Sequence, residues 1–197
     1  VSTRDRILDA AAEIMRTDGI ARATTKEIAA RAGYSEATLY KHFTDKPEIF
    51  VAVLRERLPQ LSEVLRLLHA RVGQSSVRRN LEGAVAAALA FYDESFPMAA
   101  GVFSERRLLE AHRAGIRRLG TGPEHVNREL GAYLRAEQEQ GRISRDADPE
   151  AVASLLFGAC LQRSFLRHFS GEPAPEEFAT TASTLVRIVI TGIESER

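Results

Sequence analysis

One glycine constrains this chain more than any other residue. Gly33 sits inside TTKEIAARAGYSEATLYKHFTDK, residues 24–46, with a short helical pattern on either side. The two patterns stand too close for anything but a tight helix–turn–helix. Thr24 and Glu27 have capping-box spacing, which predicts a helix starting near Thr25. Ile28, Ala29 and Ala32 give that helix one apolar side. At Gly33 the chain must turn through a left-handed backbone, which glycine adopts at no steric cost. Ser35 is placed to cap a second helix over 36–43, in which Leu39 and Phe43 stand four apart and face inward. Asp45 and Glu48 repeat the capping spacing, with Pro47 tolerated in the first turn of the next helix. Glu36, Ala37, Thr38, Tyr40 and Lys41 then point away from the core. A helix with donors and an aromatic on its free face is what a major groove admits.

At these residues the chain resembles the TetR (tetracycline-repressor) family of bacterial transcription regulators. Thr24, Thr25, Ile28, Ala29, Ala32, Gly33, Ser35, Thr38, Leu39, Tyr40, His42, Phe43 and Lys46 all stand in register with the family's N-terminal signature. Tyr34 replaces the commoner valine, and Pro47 a usual glutamate. The resemblance covers about the first quarter of the chain, so neither effector nor operator comes with it. It implies an all-α protein. A three-helix helix–turn–helix DNA-binding domain would occupy 1–46, and a helical effector-binding and dimerisation domain 47–197. It implies a cytoplasmic homodimer that represses transcription from a palindromic operator. A small, largely apolar effector would release it.

Chemistry divides the roles within the motif. Thr25, Tyr40, His42 and Lys46 suit phosphate oxygens, as hydroxyl, ring N–H and ammonium donors near helix N-termini. Lys26, Glu36, Ala37, Thr38 and Lys41 suit base edges. A lysine takes guanine O6 or N7, a glutamate accepts from cytosine N4, and an alanine or threonine methyl meets that of thymine.

Composition does not carry this reading. Of 197 residues, 27 are basic and 27 acidic, and residues 1–50 hold 8 of each. A DNA-binding segment without net positive charge is weak electrostatic evidence, so the motif bears the argument. No window has the apolar length of a membrane span, and the N-terminus lacks a signal-peptide pattern, which predicts no membrane partner. The single cysteine, Cys160, excludes an internal disulfide. Five histidines are scattered, with no H-E-x-x-H, no G-x-S-x-G and no cysteine pair. Neither catalysis nor a metal or other cofactor is therefore expected. A helical adaptor binding only protein would account for the helices but not for residues 24–46.

Beyond the motif the periodicity stays helical, and no strand is predicted. Helices are expected over 1–18, 46–57, 77–96, 103–119, 124–140, 148–169 and 176–193, with Pro97 ending the third of these. Pro59 is expected to kink or restart the chain after 57. The resemblance implies an effector cavity among the helices between 77 and 169. Phe91, Phe103, His112, Tyr133, Gln162 and Phe165 are its candidate lining. The helix over 148–169 is apolar all round at its centre, a pattern expected to be buried on every side. With the last helix it should form an antiparallel hairpin, joined by a short loop over 170–175. The hairpin offers Leu155, Ala159, Ala182, Leu185, Val186 and Val189 to a second copy.

Overall fold

Side-chain caps set most helix starts in the computed structural model, which describes residues 1–20, 22–58, 61–103, 106–119, 122–175 and 177–193. Ser2 accepts from the Asp5 amide, and Asp5 reaches back to Ser2, opening α1 (Thr3–Thr17) with a complete capping box. Thr24, Ser35 and Asp45 cap α2 (Thr25–Ala32), α3 (Glu36–Leu39) and α4 (Lys46–Glu56) in the same manner. There follow α5 (Leu61–His69), α6 (Val77–Phe103), α7 (Arg106–Leu119), α8 (Pro123–Glu139), α9 (Pro149–Ser170) and α10 (Ala179–Ile193). The described residues contain no strand, and the protein is all-α. Pro59, expected to kink the chain, lies outside the described residues.

The chain divides into two compact units, Val1–Leu58 with Glu94–Thr121, and Pro59–Asp93 with Gly122–Arg197. In the first, the α1 stripe Ile7, Leu8, Ala11, Ile14 and Met15 is fully buried, as are Ile28, Leu39, Ile49, Phe50 and Val53. This unit extends past residue 46: α4 packs on α1, and α7 packs on α4. Two arginines bind α4 to α1. Arg4 forks onto both oxygens of Glu56 at 2.7 and 2.9 Å, and Arg57 reaches Asp5 at 2.9 Å and Asp9 at 2.7 Å. The Arg4 guanidinium also lies 5.3 Å from the centre of the Phe43 ring.

These ties have an acid limit. Hydrogen bonding from Arg4 holds the Glu56 carboxyl down at about 2, and hydrogen bonds from Ser2 and then Arg57 hold Asp5 there too. A depressed carboxylate contributes stability above its unfolded pKa, near 4, and loses it as pH falls through the folded value. Glu56→Gln should therefore melt below wild type at pH 7. The gap should close as pH drops from about 5 toward 2. Melting curves across that range test this, and a gap constant with pH would refute it.

The second unit is built on Leu65, Leu81, Val85, Leu89, Leu130, Tyr133, Phe157, Cys160, Ala182 and Val186. Cys160 is an inert core thiol: burial pushes it up to about 12.

Three expectations need correction. First, α6 does not stop at Phe96; it continues through Pro97 to Phe103. Proline removes the amide that would bond the Asp93 carbonyl four residues back. His168 Nε2 lies 2.9 Å from that carbonyl and 2.7 Å from Arg167 Nη2. Arg167 Nε meanwhile binds Asp93 Oδ1 at 2.5 Å. Polar side chains of α9 thus stand against the orphaned group, and the helix continues past it. Second, α9 is not buried on every side. Leu155 is 67% and Phe169 79% exposed, because one face of this helix packs on its unit and the other meets none of it. Third, the α-helix of the reading segment ends at Leu39 rather than Phe43. Beyond it Lys41 and His42 bond back only three residues, to Thr38 and Leu39.

Candidate nucleic-acid interface

The α2–α3 turn is made as the residue types require. Gly33 adopts φ +80°, and its amide closes α2 on Ala29 and Ala30. Ser35 accepts from the Thr38 amide, and its hydroxyl lies 3.0 Å from that of Thr38. Leu39 and Phe43 are buried, which fixes the rotation of the segment. Lys26, Ala37, Tyr40, Lys41 and His42 are left exposed, and Thr25, Glu36, Thr38 and Lys46 half-buried. All nine residues singled out for DNA lie on or beside this one segment. At its end Asp45 caps α4 by accepting from the Glu48 amide, while the Glu48 carboxylate accepts from Thr44 N–H at 2.6 Å.

One connection inside the motif was not legible from spacing. Thr25 Oγ1 donates to Glu36 Oε1 at 2.5 Å and lies 3.4 Å from the Tyr40 hydroxyl. A hydroxyl has one hydrogen to give. With it committed to Glu36, Thr25 has no hydroxyl proton for a phosphate. The unbonded first-turn amides of α2 remain as its donors there. The same bond holds the Glu36 carboxylate at the first turn of α3. Arg6 adds a further link, its guanidinium 5.6 Å from the Tyr34 ring centre.

The residues singled out for an effector are divided between the two units. Within the second unit Tyr133 is a fully buried core residue whose hydroxyl accepts from Asn80 Nδ2 at 3.0 Å. Phe91 is half-buried, edge-on to Tyr92 at 5.5 Å. Gln162 and Phe165 lie on the exposed side of α9. Within the first unit Phe103 is 72% exposed, and His112 stands edge-on to Phe50 at 5.0 Å. Burial lowers the His112 pKa, and its Nδ1 is buried without a partner. A cavity of about 330 Å³ does open in the second unit, lined by Leu89, Asp93, Arg163, Leu166, Arg167 and Phe178 among others. None of the six candidates lines it.

The residues singled out for a second copy divide in two. Ala182 and Val186 are fully buried in their own unit's core and so cannot also face a partner. Leu185 and Val189 are partly buried against that core. Leu155 is exposed and Ala159 half-exposed. With Gln162, Leu166 and Phe169 they recur at steps of four, three, four and three, one stripe along α9.

A capped, glycine-turned helix pair presenting a donor-rich face defines a helix–turn–helix DNA-binding protein. Residues 7–53 match the family model described as bacterial regulatory proteins, tetR family. The HTH-type transcriptional repressor BepR of Brucella suis biovar 1 (strain 1330) is 29% identical over 159 residues, 79% of this chain and 75% of that protein. YdgC of Bacillus subtilis (strain 168), named an uncharacterized HTH-type transcriptional regulator, is 28% identical over 98% of this chain and 93% of its own length. The fold matches that of the transcriptional regulator FadR from Bacillus subtilis in complex with stearoyl-CoA. The TM-score is 0.70 at 15% identity, covering 96% of this chain and 99% of that one. Residues 7–53 are a DNA-binding domain of the tetR type, and the relatives that align with most of the chain are named as transcriptional regulators, not enzymes.

Proposed function

We propose that this regulator is a cytoplasmic repressor that binds a palindromic operator as a homodimer and leaves it when a small, largely apolar effector binds. The observation that carries the DNA half is the exposed row Ala37, Tyr40, Lys41 and His42 on a segment anchored by buried Leu39 and Phe43. The effector half is supported by the cavity beside Leu89, Leu166 and Phe178. The stearoyl-CoA complex of the FadR relative also supports it. The apolar stripe of α9 supports the dimer. No helix among the described residues is long and apolar enough to cross a membrane. Release needs only that the effector binds a DNA-incompetent arrangement better; about 1.4 kcal/mol of preference weakens operator binding tenfold.

Binding to the DNA upstream of the regulator's own gene, with and without apolar small molecules, tests this reading. Within it, Lys41→Ala should relax preference at one base pair of each half-site, by about 1–3 kcal/mol. Tyr40→Ala should weaken binding to specific and random duplexes alike. The two variants behaving identically across a randomised operator library would refute that division of roles.

A further inference from the structure

The helix α7 carries five arginines and one glutamate in fourteen residues. It belongs to the same compact unit as the reading segment. That membership changes the charge balance. Lys and Arg against Asp and Glu stand at 15 to 12 in the first unit and 12 to 15 in the second. A chain with zero net charge thus concentrates positive charge in its DNA-binding unit, and α7 supplies it.

We propose that the solvent face of α7 is a second phosphate-binding surface, engaging duplex DNA through its backbone charge while the α2–α3 segment reads sequence. The inference rests on the DNA-binding assignment above. Leu108 and Gly115 are buried, and His112 turns its ring onto Phe50, which fixes the inward side of α7. Arg106, Arg113 and Arg117, at steps of seven and four, form one exposed row on the other side. Arg107 and Arg118, eleven apart, form the row beside it. Arg106 is bound to Glu110 at 2.9 Å. The other four make no ion pair among the described residues, so their charge is uncompensated by neighbouring carboxylates.

Length and position suit a duplex. Eleven residues of helix span about 16 Å, the axial length over which one strand places about five phosphates. The α7–α4 contact, through Phe50 with His112 and Val51 with Gly115, lies four to five residues from Lys46. That is about 6–8 Å along α4 from the end of the reading segment. Arginine also prefers phosphate geometrically, through its forked donors.

The test is titration of a random-sequence duplex by the full-length protein and by a triple variant, Arg113→Gln, Arg117→Gln and Arg118→Gln. Salt is varied from 50 to 200 mM, and thermal melts verify the fold. Loss of three phosphate partners should flatten the log–log salt slope by about two to three and cut non-specific affinity at least about tenfold. Preference across an operator library should not change. The corresponding triple lysine variant should retain the slope, since it retains the charge. A triple glutamine variant matching wild type in affinity and slope would overturn the proposal and leave the helix–turn–helix assignment standing. A wild type that binds no duplex would overturn both. Loss of binding to phosphatidylserine vesicles with DNA binding intact would overturn it and assign the face to anionic membranes.

Discussion

Replacing Leu155 and Phe169 by glutamate should convert the protein to a monomer at micromolar concentration and weaken operator binding at least about a hundredfold. Both side chains lie on the uncovered stripe of α9, 67% and 79% exposed, so their loss opens no hole in the second unit. The glutamates are harmless to a free protomer but would be buried and unpaired between two copies of the stripe. An isologous contact sets identical surfaces together, so each substitution acts twice. The operator effect follows from tethering. A dimer that has bound one half-site offers its second reading segment at high effective concentration, an advantage of about 10²–10⁴ that a monomer lacks. Half-site binding by the variant should survive. Sedimentation velocity and operator titration check both parts. A variant that remains dimeric with full affinity would exclude α9 as the interface.

The choice of those two residues shows where sequence reading succeeded and where it stopped. Capping was legible because it is local: Thr24, Ser35 and Asp45 each accept from the amide three residues ahead. Gly33 was legible because its turn demands a positive φ. Pro97 was misread because the side chain that meets the freed Asp93 carbonyl, His168, lies 75 residues beyond Asp93. An apolar run gives no sign of what covers it. The centre of α9 therefore read as enclosed, although Leu155 and Leu161 on it are open. Conversely, Ala182 and Val186 looked available for a partner but are spent on their own core. Gln162, singled out for polarity amid aromatics, falls instead on the α9 stripe between Ala159 and Leu166. Which motif residues are buried was legible because the reading segment is nearly self-contained. The end of its α-helix at Leu39 and the Thr25–Glu36 bond, which joins α2 to α3, required three dimensions.

Tyr133 is where the two kinds of reading predict different experiments. As an effector contact, its removal would change ligand response and little else. Its surroundings argue for a structural role. The ring is fully buried among Leu81, Leu130 and Phe157, and the hydroxyl accepts from Asn80 Nδ2 at 3.0 Å. Asn80 in turn donates to the Gln74 carbonyl at 3.0 Å. Burial raises the phenol pKa, so the hydroxyl stays protonated. The hydroxyl thus ties α8 to α6 through Asn80. Tyr133→Phe keeps the ring but takes an acceptor from buried Asn80, and should cost about 1 kcal/mol. Tyr133→Ala also opens a cavity and should cost about 3–5 kcal/mol, the usual range for removing a buried aromatic. Urea unfolding of the two variants beside wild type measures both. A loss below about 1 kcal/mol for Tyr133→Ala, joined to a changed effector response, would return this residue to an effector site.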